Sequence, residues 1–388
     1  MATLTLKPGK EARLAGGHLW IYAGEIRTVD GRPEAGAIVD VRAADRSYIG
    51  RGYLNPRSTI AVRLLTRRRE PVDEGFFRRR LEAALALRER VVSGTTACRV
   101  VYSEGDDLPG LIVDRYGDLL VMQTLTLGMA RQEALIVRLL RELVQPAAIY
   151  GRNDAPIRRL EGLPCERRFL YGEVPLRQTI TEAALQFVVN VAEGQKTGFF
   201  LDQRENRRAA AGYARGEVLD AFCYTGGFSL HAARAGATVV GLESSGDAVA
   251  EAEEHARLNG LADRCTFQEV NAFDALRALA REGPRYDMVI LDPPAFAKSK
   301  AALPRAAAGY KEINLRAIKV LRPGGILVSC SCSAHMTEEM LLAIVAEAAA
   351  NARRSARLLE ARGQARDHPI HPGMPETRYL KCLILEVR

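Results

Sequence analysis

The chain lacks any apolar run long enough to cross a membrane. Across its 388 residues no uninterrupted apolar stretch approaches the length of about 18 residues that indicates a transmembrane helix. The first residues, MATLTLKPGKEARL, also lack the apolar core and small-residue cleavage site of a signal peptide. We therefore expect a cytoplasmic protein that does not act at a membrane.

Cysteines are few, and their spacing argues against both a disulfide framework and a zinc site. The seven cysteines form an odd, scattered set without a CxxC pair: Cys98, Cys165, Cys223, Cys265, Cys330, Cys332 and Cys382. Neither a disulfide framework nor a cysteine-based zinc site fits that spacing. We expect reduced thiols and no bound metal.

The charge balance is basic, with 55 Lys and Arg against 47 Asp and Glu and a formal net charge of +8. Basic surfaces gain affinity for polyanions by releasing counterions from phosphates. Nucleic acid is therefore a candidate partner, although a solubilising excess of arginine explains the same numbers. The length exceeds what one hydrophobic core usually organises, so two or three domains are expected.

Three segments with different patterns divide the chain. Residues 1–72 contain short apolar runs separated by Gly and Pro, which predict a small β-barrel or sandwich. Residues 73–190 begin with a helical pattern from Phe76 to about Val92 and continue mainly as strands. That helix carries arginines that are either phosphate contacts or a solvated face: Arg78, Arg79, Arg80, Arg88 and Arg90.

Residues 191–388 alternate short apolar strands with amphipathic helices. This alternation is the pattern of a mostly parallel, doubly wound α/β sheet. The predicted strands are Val218–Asp220, Thr238–Glu243, Cys265–Gln268, Met288–Asp292, Gly325–Cys330 and Tyr379–Leu385.

Polar side chains follow the first three of these strands. Asp220, Glu243 and Asn271 stand at successive strand ends, and the carboxyl ends of parallel strands form the ligand-binding edge of such a sheet. A carboxylate at Glu243 suits ribose hydroxyls, and Asn271 suits the edge of an adenine. A helix cap or a plain turn accounts for each residue taken alone, but their conjunction favours a nucleoside-containing cofactor.

The first strand-to-helix turn, Asp220-Ala-Phe-Cys-Tyr-Thr-Gly226-Gly227-Phe, supplies glycines for a close backbone approach to that cofactor. It does not match G-x-G-x-x-G, the pattern that binds a dinucleotide pyrophosphate. A cofactor without phosphates fits better, and we predict S-adenosylmethionine (AdoMet). The predicted contacts around the turn are Asp220, Phe222, Tyr224, Gly226, Gly227, Glu243, Asn271, Ala272 and Asp292.

The fourth strand ends in Asp292-Pro293-Pro294, and the fifth ends near Cys330 and Cys332. A stiff loop carrying Asp292 suits recognition of a planar base, although it also resembles loops of enzymes that methylate exocyclic amines. Carbon 5 of a pyrimidine is a poor nucleophile until a thiolate adds at carbon 6, which gives a strand-end cysteine a specific role. We favour Cys332 as that nucleophile.

Alternatives for these groups stay open on sequence alone. A free cysteine is more often a small buried hydrophobe than a catalyst, and Cys330 and Cys332 face the same side of an extended chain. His335 either assists proton transfer or is a surface histidine.

Several motifs together resemble the bacterial 23S rRNA cytosine-5 methyltransferases of the large-subunit type. They cover nearly the whole chain: Lys7-Pro-Gly-Lys10, Gly17-His-Leu-Trp-Ile-Tyr22, Gly194-Gln-Lys-Thr-Gly-Phe-Phe-Leu-Asp-Gln-Arg204, Phe222-Cys-Tyr-Thr-Gly-Gly-Phe228, Asp292-Pro-Pro-Ala-Phe296, Gly309-Tyr-Lys-Glu-Ile-Asn314, Ser331-Cys-Ser333 and Asp367-His-Pro369.

The resemblance implies a PUA RNA-binding β-barrel (1–72), a central α+β domain with a β-hairpin (73–190) and a Rossmann-like class I methyltransferase domain (191–388). It implies 23S rRNA, or a large-subunit assembly intermediate, as the partner, and it leaves monomer and homodimer open. It assigns the nucleophile to Cys332 within Ser331-Cys-Ser333. It adds Phe200, Asp202 and Gln203 to the cofactor site, and Pro293, Pro294 and Phe296 to the base-binding site.

One departure from the wider RNA cytosine-5 methyltransferases concerns product release. Many of them carry a second cysteine after the proline of the Asp-Pro-Pro-like loop, where this chain has Ala295 and Phe296. Release then needs another base or water, for which Cys330 is one candidate.

Three other functions compete with cytosine-5 methylation. A related branch methylates guanine N7 and lacks the strand-end cysteine, an RNA-binding assembly factor retains the fold without turnover, and a nicotinamide dehydrogenase requires a different glycine pattern.

Overall fold

A computed structural model describes residues 2–194, 197–297 and 299–388. Short strands form the first sheet: β1 (Thr3–Leu6), β2 (Trp20–Tyr22), β3 (Ile26–Asp30), β4 (Ile38–Arg42), β5 (Tyr48–Leu54) and β6 (Ile60–Thr66). The strand order is β2-β6-β5-β4-β1-β3. Leu4 and Leu6 of β1 and Val39 and Val41 of β4 point into its core, and α1 (Ala12–Ala15) adds Leu14.

A second sheet with its own core follows. Its strands are β7 (Ala97–Tyr102), β8 (Leu111–Tyr116), β9 (Leu119–Thr124), β10 (Ala148–Asn153) and β11 (Glu166–Tyr171), in the order β11-β10-β9-β8-β7. Phe76, Phe77 and Leu139 pack against this sheet. They belong to two of its four helices: α2 (Glu74–Val91), α3 (Leu127–Ala130), α4 (Glu133–Val144) and α5 (Ile157–Leu160). A hairpin of β12 (Arg177–Glu182) and β13 (Leu185–Asn190) comes next.

The third sheet has seven strands in the order β16-β15-β14-β17-β18-β20-β19. These are β14 (Glu217–Ala221), β15 (Thr238–Glu243), β16 (Cys265–Glu269), β17 (Tyr286–Leu291), β18 (Leu321–Ser331), β19 (Ala356–Arg362) and β20 (Lys381–Val387). Strands β14 to β18 pair in parallel, whereas β20 is antiparallel to β18 and β19. The chain winds outward in both directions from β14, so the β14–β17 junction is the switch point.

The helices of this α/β sheet are α6 (Arg204–Ala211), α7 (Gly227–Arg234), α8 (Gly246–Leu258), α9 (Ala272–Glu282), α10 (Leu303–Val320) and α11 (Glu338–Asn351). The sequence prediction of a mostly parallel α/β sheet is confirmed. The predicted strand Met288–Asp292 ends one residue earlier, at Leu291, which leaves Asp292 in the following loop.

The chain clusters into two units. The first contains the residues up to Ile180, Val189–Leu201 and Arg366–Thr377; the second contains Thr181–Val188, Asp202–Ala365 and Arg378–Arg388. Residues 191–201 and Arg366–Thr377, which the sequence analysis places in the catalytic region, therefore belong to the first unit. The three-domain division at residues 72 and 190 stays a prediction.

Within the described residues, no helix combines the length and the apolar composition needed to cross a membrane. None of the seven cysteines, all of which lie in the described part of the chain, forms a disulfide bond.

A buried charged triad stabilises the second unit. The Arg207 guanidinium donates to both oxygens of the Glu182 carboxylate at 2.7 Å, and His231 Nε2 lies 3.0 Å from the same carboxylate. All three side chains are buried. Although burial opposes ionisation, Arg207 and His231 outweigh it and lower the pKa of Glu182 to about 2.

We expect Glu182→Gln to lower the free energy of unfolding at pH 7 by about 3 kcal/mol, because the variant leaves the buried Arg207 charge uncompensated. The carboxylate contributes its stability fully above its ordinary pKa of 4.5 and loses it as the pH falls towards about 2. The difference between wild type and variant should therefore shrink below about pH 4.5. Urea unfolding between pH 7 and pH 3 measures it.

The exposed variant Glu253→Gln, on α8, is the control and should change stability little. A Glu182→Gln deficit that stayed constant from pH 7 to pH 3 would contradict the role given to the ionised carboxylate.

Candidate active site

The loop after β14 has an unusual backbone. Phe222, Tyr224 and Gly226 have φ angles of 67°, 49° and 80°, and two of these residues carry side chains that disfavour the left-handed region. Hydrogen bonds hold the loop in place, because the N–H groups of Phe222 and Cys223 both donate to the carbonyl of Leu242, at 2.9 and 3.1 Å. Strained backbone of this kind clusters at ligand-binding sites.

Asp220, the fourth residue of β14, brings a buried carboxyl group to the start of this loop. Asp220 is 1% exposed, and its Oδ2 accepts a hydrogen bond from Ser229 Oγ at 2.6 Å. Oδ1 has no hydrogen-bond partner among the described residues. Burial, with a smaller contribution from the nearby Asp292 and Glu243 carboxylates, raises the pKa of Asp220 to about 7. Buried acceptors rarely lack donors, so Oδ1 is suited to accept a hydrogen bond from a ligand.

Gly226 has no room for a side chain. A Cβ atom there would lie 3.2 Å from Leu230 and Phe267 and 3.3 Å from Ala252, and the positive φ adds a conformational penalty. At Gly227 a Cβ would lie 3.0 Å from the Arg207 side chain. Both glycines are needed to keep this turn close to the sheet edge.

Glu243 ends β15 and links the two neighbouring loops. Its Oε2 accepts from the Tyr224 N–H at 3.0 Å, and its Oε1 accepts from the N–H groups of Ser244 and Ser245 at 2.6 and 3.1 Å. The Ser244 hydroxyl also donates to Oε1, at 3.1 Å. The carboxylate is therefore held in one orientation, and Oε2 is the oxygen that can accept from a further donor.

Asn271 caps helix α9. Its Oδ1 accepts from the N–H groups of Phe273 and Asp274, at 2.9 and 3.4 Å. Asn271 is therefore a helix cap, as the sequence analysis allowed. Its side-chain NH2 group is the part that remains for a ligand. Ala272 begins the helix, where the backbone N–H groups have no partner within the helix.

Asp292 lies directly after β17 and is oriented by Gln203. Gln203 Nε2 donates to Asp292 Oδ2 at 2.9 Å, and Gln203 Oε1 accepts from Asn206 at 2.6 Å. The second contact fixes which end of the amide faces Asp292. Gln203, which was predicted to belong to the cofactor site, thus lies beside Asp292 in the structure.

The Gly194–Arg204 motif contains two further residues predicted for the cofactor site, Phe200 and Asp202. Asp202 accepts a hydrogen bond from the Tyr379 hydroxyl at 2.5 Å. Phe200 belongs to the first unit. Gln195 and Lys196 are outside the described residues.

An aromatic row runs along this edge of the sheet. Ring centroids lie 5.7 Å apart for Phe222 and Phe273, 5.7 Å for Phe273 and Phe296, and 4.7 Å for Phe296 and Tyr310. Phe296 is half-buried by these contacts, so its ring orientation is set before any base arrives. Of the two prolines before it, Pro293 is buried and Pro294 is exposed.

The two candidate cysteines have different environments. Cys330 lies within β18 opposite Cys382 and is buried. Its hydrogen bond with Cys382 and its burial raise its pKa well above the usual range. The buried-hydrophobe alternative therefore fits Cys330, and its role as the base for product release stays a prediction. Cys332 follows the last residue of β18, Ser331, and is half-buried.

Tyr310 and Lys381, which the sequence analysis did not assign to the site, contact the residues on either side of Cys332. The Tyr310 hydroxyl lies 2.8 Å from Ser331 Oγ and 3.2 Å from Ser333 Oγ, and Ser333 Oγ accepts from the Ala297 N–H at 3.2 Å. The buried Lys381 donates to the Ser333 carbonyl. Lys381 is the single lysine in the otherwise apolar run Tyr379–Leu385, and this was the sequence signal that could have identified it.

Two further predictions concern His335 and bound metal. His335 is exposed, as expected of a surface histidine. The described parts of the chain contain no group of three His, Cys, Asp or Glu residues placed to hold a metal ion.

The arginines of α2, in the first unit, are largely neutralised. Arg88 is buried, donates to both oxygens of Asp106 at 2.5 and 2.7 Å and also donates to the Asp367 carbonyl at 2.8 Å. The hypothesis that Arg88 contacts phosphate is therefore wrong. Arg78, Arg79 and Arg80 pair with Glu142, Glu70 and Asp107, whereas the triplet Arg67, Arg68 and Arg69 is exposed.

Comparisons with known proteins identify the family to which the chain belongs. A PUA-like domain model matches residues 4–67, and an S-adenosylmethionine-dependent methyltransferase model matches residues 136–382. Proteins named ribosomal RNA large subunit methyltransferase I are 41% identical to this chain. The one from Shewanella denitrificans aligns over 99% of both chains, and the one from Aeromonas hydrophila over 100% of both.

Solved structures share the fold at lower identity. A proposed SAM-dependent methyltransferase from Streptococcus mutans is 21% identical over the whole of both chains, with a TM-score of 0.84. A structure of a proposed methyltransferase complexed with SAH is also 21% identical and has a TM-score of 0.86. From the family models and the near full-length relatives, the chain belongs to the S-adenosylmethionine-dependent methyltransferase family, carries an N-terminal PUA-like domain and uses S-adenosylmethionine as its cofactor.

Proposed function

We propose that this protein methylates carbon 5 of a cytosine in 23S rRNA, either free or in a large-subunit assembly intermediate, with Cys332 as the nucleophile. The relatives' name, the PUA-like match and the net charge of +8 support an rRNA substrate. The observation that carries the choice of carbon 5 is the position of Cys332 just beyond the end of β18.

The register of the sheet supports a shared site for cofactor and base. Ala221, the last residue of β14, pairs with Leu291 of β17, and Leu291 pairs with Ser329 of β18. Because the three strands are parallel, Asp292 and Cys332 both follow strand ends at the edge that carries the Phe222–Gly227 loop. A base held there meets a carboxylate and a thiol.

The residues at this edge fit AdoMet. Asp220 Oδ1 is a buried acceptor in need of a donor, and Gly226 lets the turn pack tightly against Leu230, Ala252 and Phe267. We propose that Glu243 accepts from the ribose hydroxyls, and that the Asn271 amide and the Ala272 N–H contact the adenine. Bound AdoMet supplies a methyl group on a positively charged sulfur, which a carbon nucleophile can accept.

The protein's own groups then activate the cytosine. The Cys332 thiolate bonds to carbon 6, and the displaced electron pair makes carbon 5 nucleophilic and places charge on nitrogen 3. The Asp292 carboxyl group, held by Gln203, orients the base and, in its protonated form, neutralises that negative charge by giving its proton to nitrogen 3. After methylation, loss of the proton on carbon 5 to a base or water restores the double bond as the sulfur–carbon 6 bond breaks.

RNA containing 5-fluorocytosine tests the covalent step. Fluorine on carbon 5 cannot leave as a proton, so we expect the Cys332–cytosine bond to persist after methylation as a complex that survives a denaturing gel. Cys265→Ala, which removes another half-buried cysteine, should still form the complex. Nucleoside mass spectrometry of unmodified RNA should report 5-methylcytosine in parallel.

Methylguanosine as the product, with no trapped complex, would instead assign guanine N-methylation. Absence of any S-adenosylhomocysteine in the presence of the rRNA substrate would indicate a non-catalytic assembly factor.

A further inference from the structure

Lys381 is a buried cation beside the proposed nucleophile. The residue is 3% exposed and lies at the start of β20, directly opposite Ser331 in the antiparallel ladder with β18. Cys332 is the next residue along the chain. A lysine is almost never fully buried without a partner that needs its charge.

The hydrogen bonds of Lys381 leave one donor available. Its Nζ donates to the carbonyl of Ser333 at 2.7 Å and to the carbonyl of Tyr379 at 2.9 Å. An ammonium group has three N–H donors, and the third has no partner among the described residues. The Ser333 contact holds the ammonium within one residue of Cys332, from the side of β20.

The charges around this pair favour a thiolate. Burial lowers the pKa of Lys381 to about 8, and Cys332 is the largest influence that opposes this lowering. The other charged groups that act on Lys381 are Arg378 and Glu338. Tyr310, on α10, contacts Ser331 and Ser333 on either side of Cys332, and burial raises its pKa, so its hydroxyl stays neutral at pH 7. Lys381 is thus the cation available to a Cys332 thiolate from these groups.

We propose that the Lys381 ammonium stabilises the thiolate of Cys332 and so prepares it to attack carbon 6, a role that rests on the proposed cytosine-5 chemistry. Lys381 acts through Cys332 and is a positioning residue. Because the thiolate is the nucleophilic form of cysteine, the cation raises the reactive fraction of the enzyme at neutral pH.

Two substitutions separate charge from hydrogen bonding. Lys381→Gln removes the charge but keeps two N–H donors for the Ser333 and Tyr379 carbonyls. Lys381→Met removes both. A residue that only anchors the Ser333 segment would be replaced adequately by glutamine, whereas a thiolate-stabilising cation would not.

The rate of Cys332 alkylation by iodoacetamide as a function of pH, followed by peptide mass spectrometry on the full chain, is the readout. We expect its midpoint to rise by about one pH unit in both variants, which is about a tenfold smaller thiolate fraction at pH 7. The alkylation profile of Cys265 is the internal control and should not move.

An unchanged Cys332 midpoint in Lys381→Gln overturns the proposal, and this variant decides the matter if Lys381→Met fails to fold. The readout needs neither RNA nor turnover. A shifted midpoint in an enzyme that forms no 5-methylcytosine would therefore refute the proposed function while leaving the cation–thiolate pair in place.

Discussion

Replacing Cys332 with alanine should abolish 5-methylcytosine formation while AdoMet still binds. The thiolate makes a bond in this mechanism that no other side chain at the end of β18 can replace, because Cys330 is buried within the strand. We expect the rate of methylation to fall by at least about a thousandfold, in line with the loss of a nucleophile in other covalent enzymes. Single-turnover assays on unmodified rRNA with labelled AdoMet measure this rate.

Two controls make the result specific. Cys265→Ala should keep the wild-type rate, since Cys265 lies at the start of β16. Calorimetric titration should give the same AdoMet affinity for Cys332→Ala as for wild type. A Cys332→Ala enzyme that formed 5-methylcytosine at an undiminished rate would show that the nucleophile is assigned to the wrong residue.

Asp220→Asn should weaken AdoMet binding and remove its pH dependence. Burial raises the pKa of Asp220 to about 7, so the carboxyl is mostly protonated at pH 6 and mostly ionised at pH 8. AdoMet carries positive charge on its sulfonium and amino groups, and its affinity should rise with the ionised fraction, by about tenfold between these two pH values. At pH 8 the variant should bind about 30-fold more weakly, because it loses a charged hydrogen-bond acceptor.

Calorimetric titrations at pH 6, 7 and 8 test this expectation. Asp247→Asn, which removes an exposed carboxylate from the first turn of α8, is the matched control and should preserve both affinity and slope. An Asp220→Asn variant with the wild-type slope would mean that another group governs cofactor binding.

Much of the α/β sheet was predictable because buried parallel strands are short apolar runs. All six predicted strands are present, with shifts of a few residues at their ends. Strand β19 was missed, since it shows neither an apolar run nor clean alternation, and its Leu358 and Leu359 are both exposed. It is an edge strand, and its pairing with β20 rather than its own composition defines it.

The sheet edge that we propose binds AdoMet was also predictable, because the carboxyl ends of parallel strands meet there. Asp220, Glu243 and Asp292 each come at or just after the end of a parallel strand, so local sequence fixes where they emerge. Lys381 was not predictable in this way, because its position beside Ser333 depends on antiparallel pairing between segments 48 residues apart. Arg88 misled for a related reason, since its partners Asp106 and Asp367 are distant in sequence.

The interleaving of the two units constrains how the protein can be made. The chain passes between them five times, after Ile180, Val188, Leu201, Ala365 and Thr377. The buried carboxylate of Asp367 accepts the Arg99 N–H at 3.0 Å, and its carbonyl accepts from Arg88. During synthesis, the first unit therefore cannot complete its core until nearly the whole chain has left the ribosome. A fragment that stops near residue 190 would lack Asp367, and the Arg99 N–H and the Arg88 guanidinium would lose these acceptors.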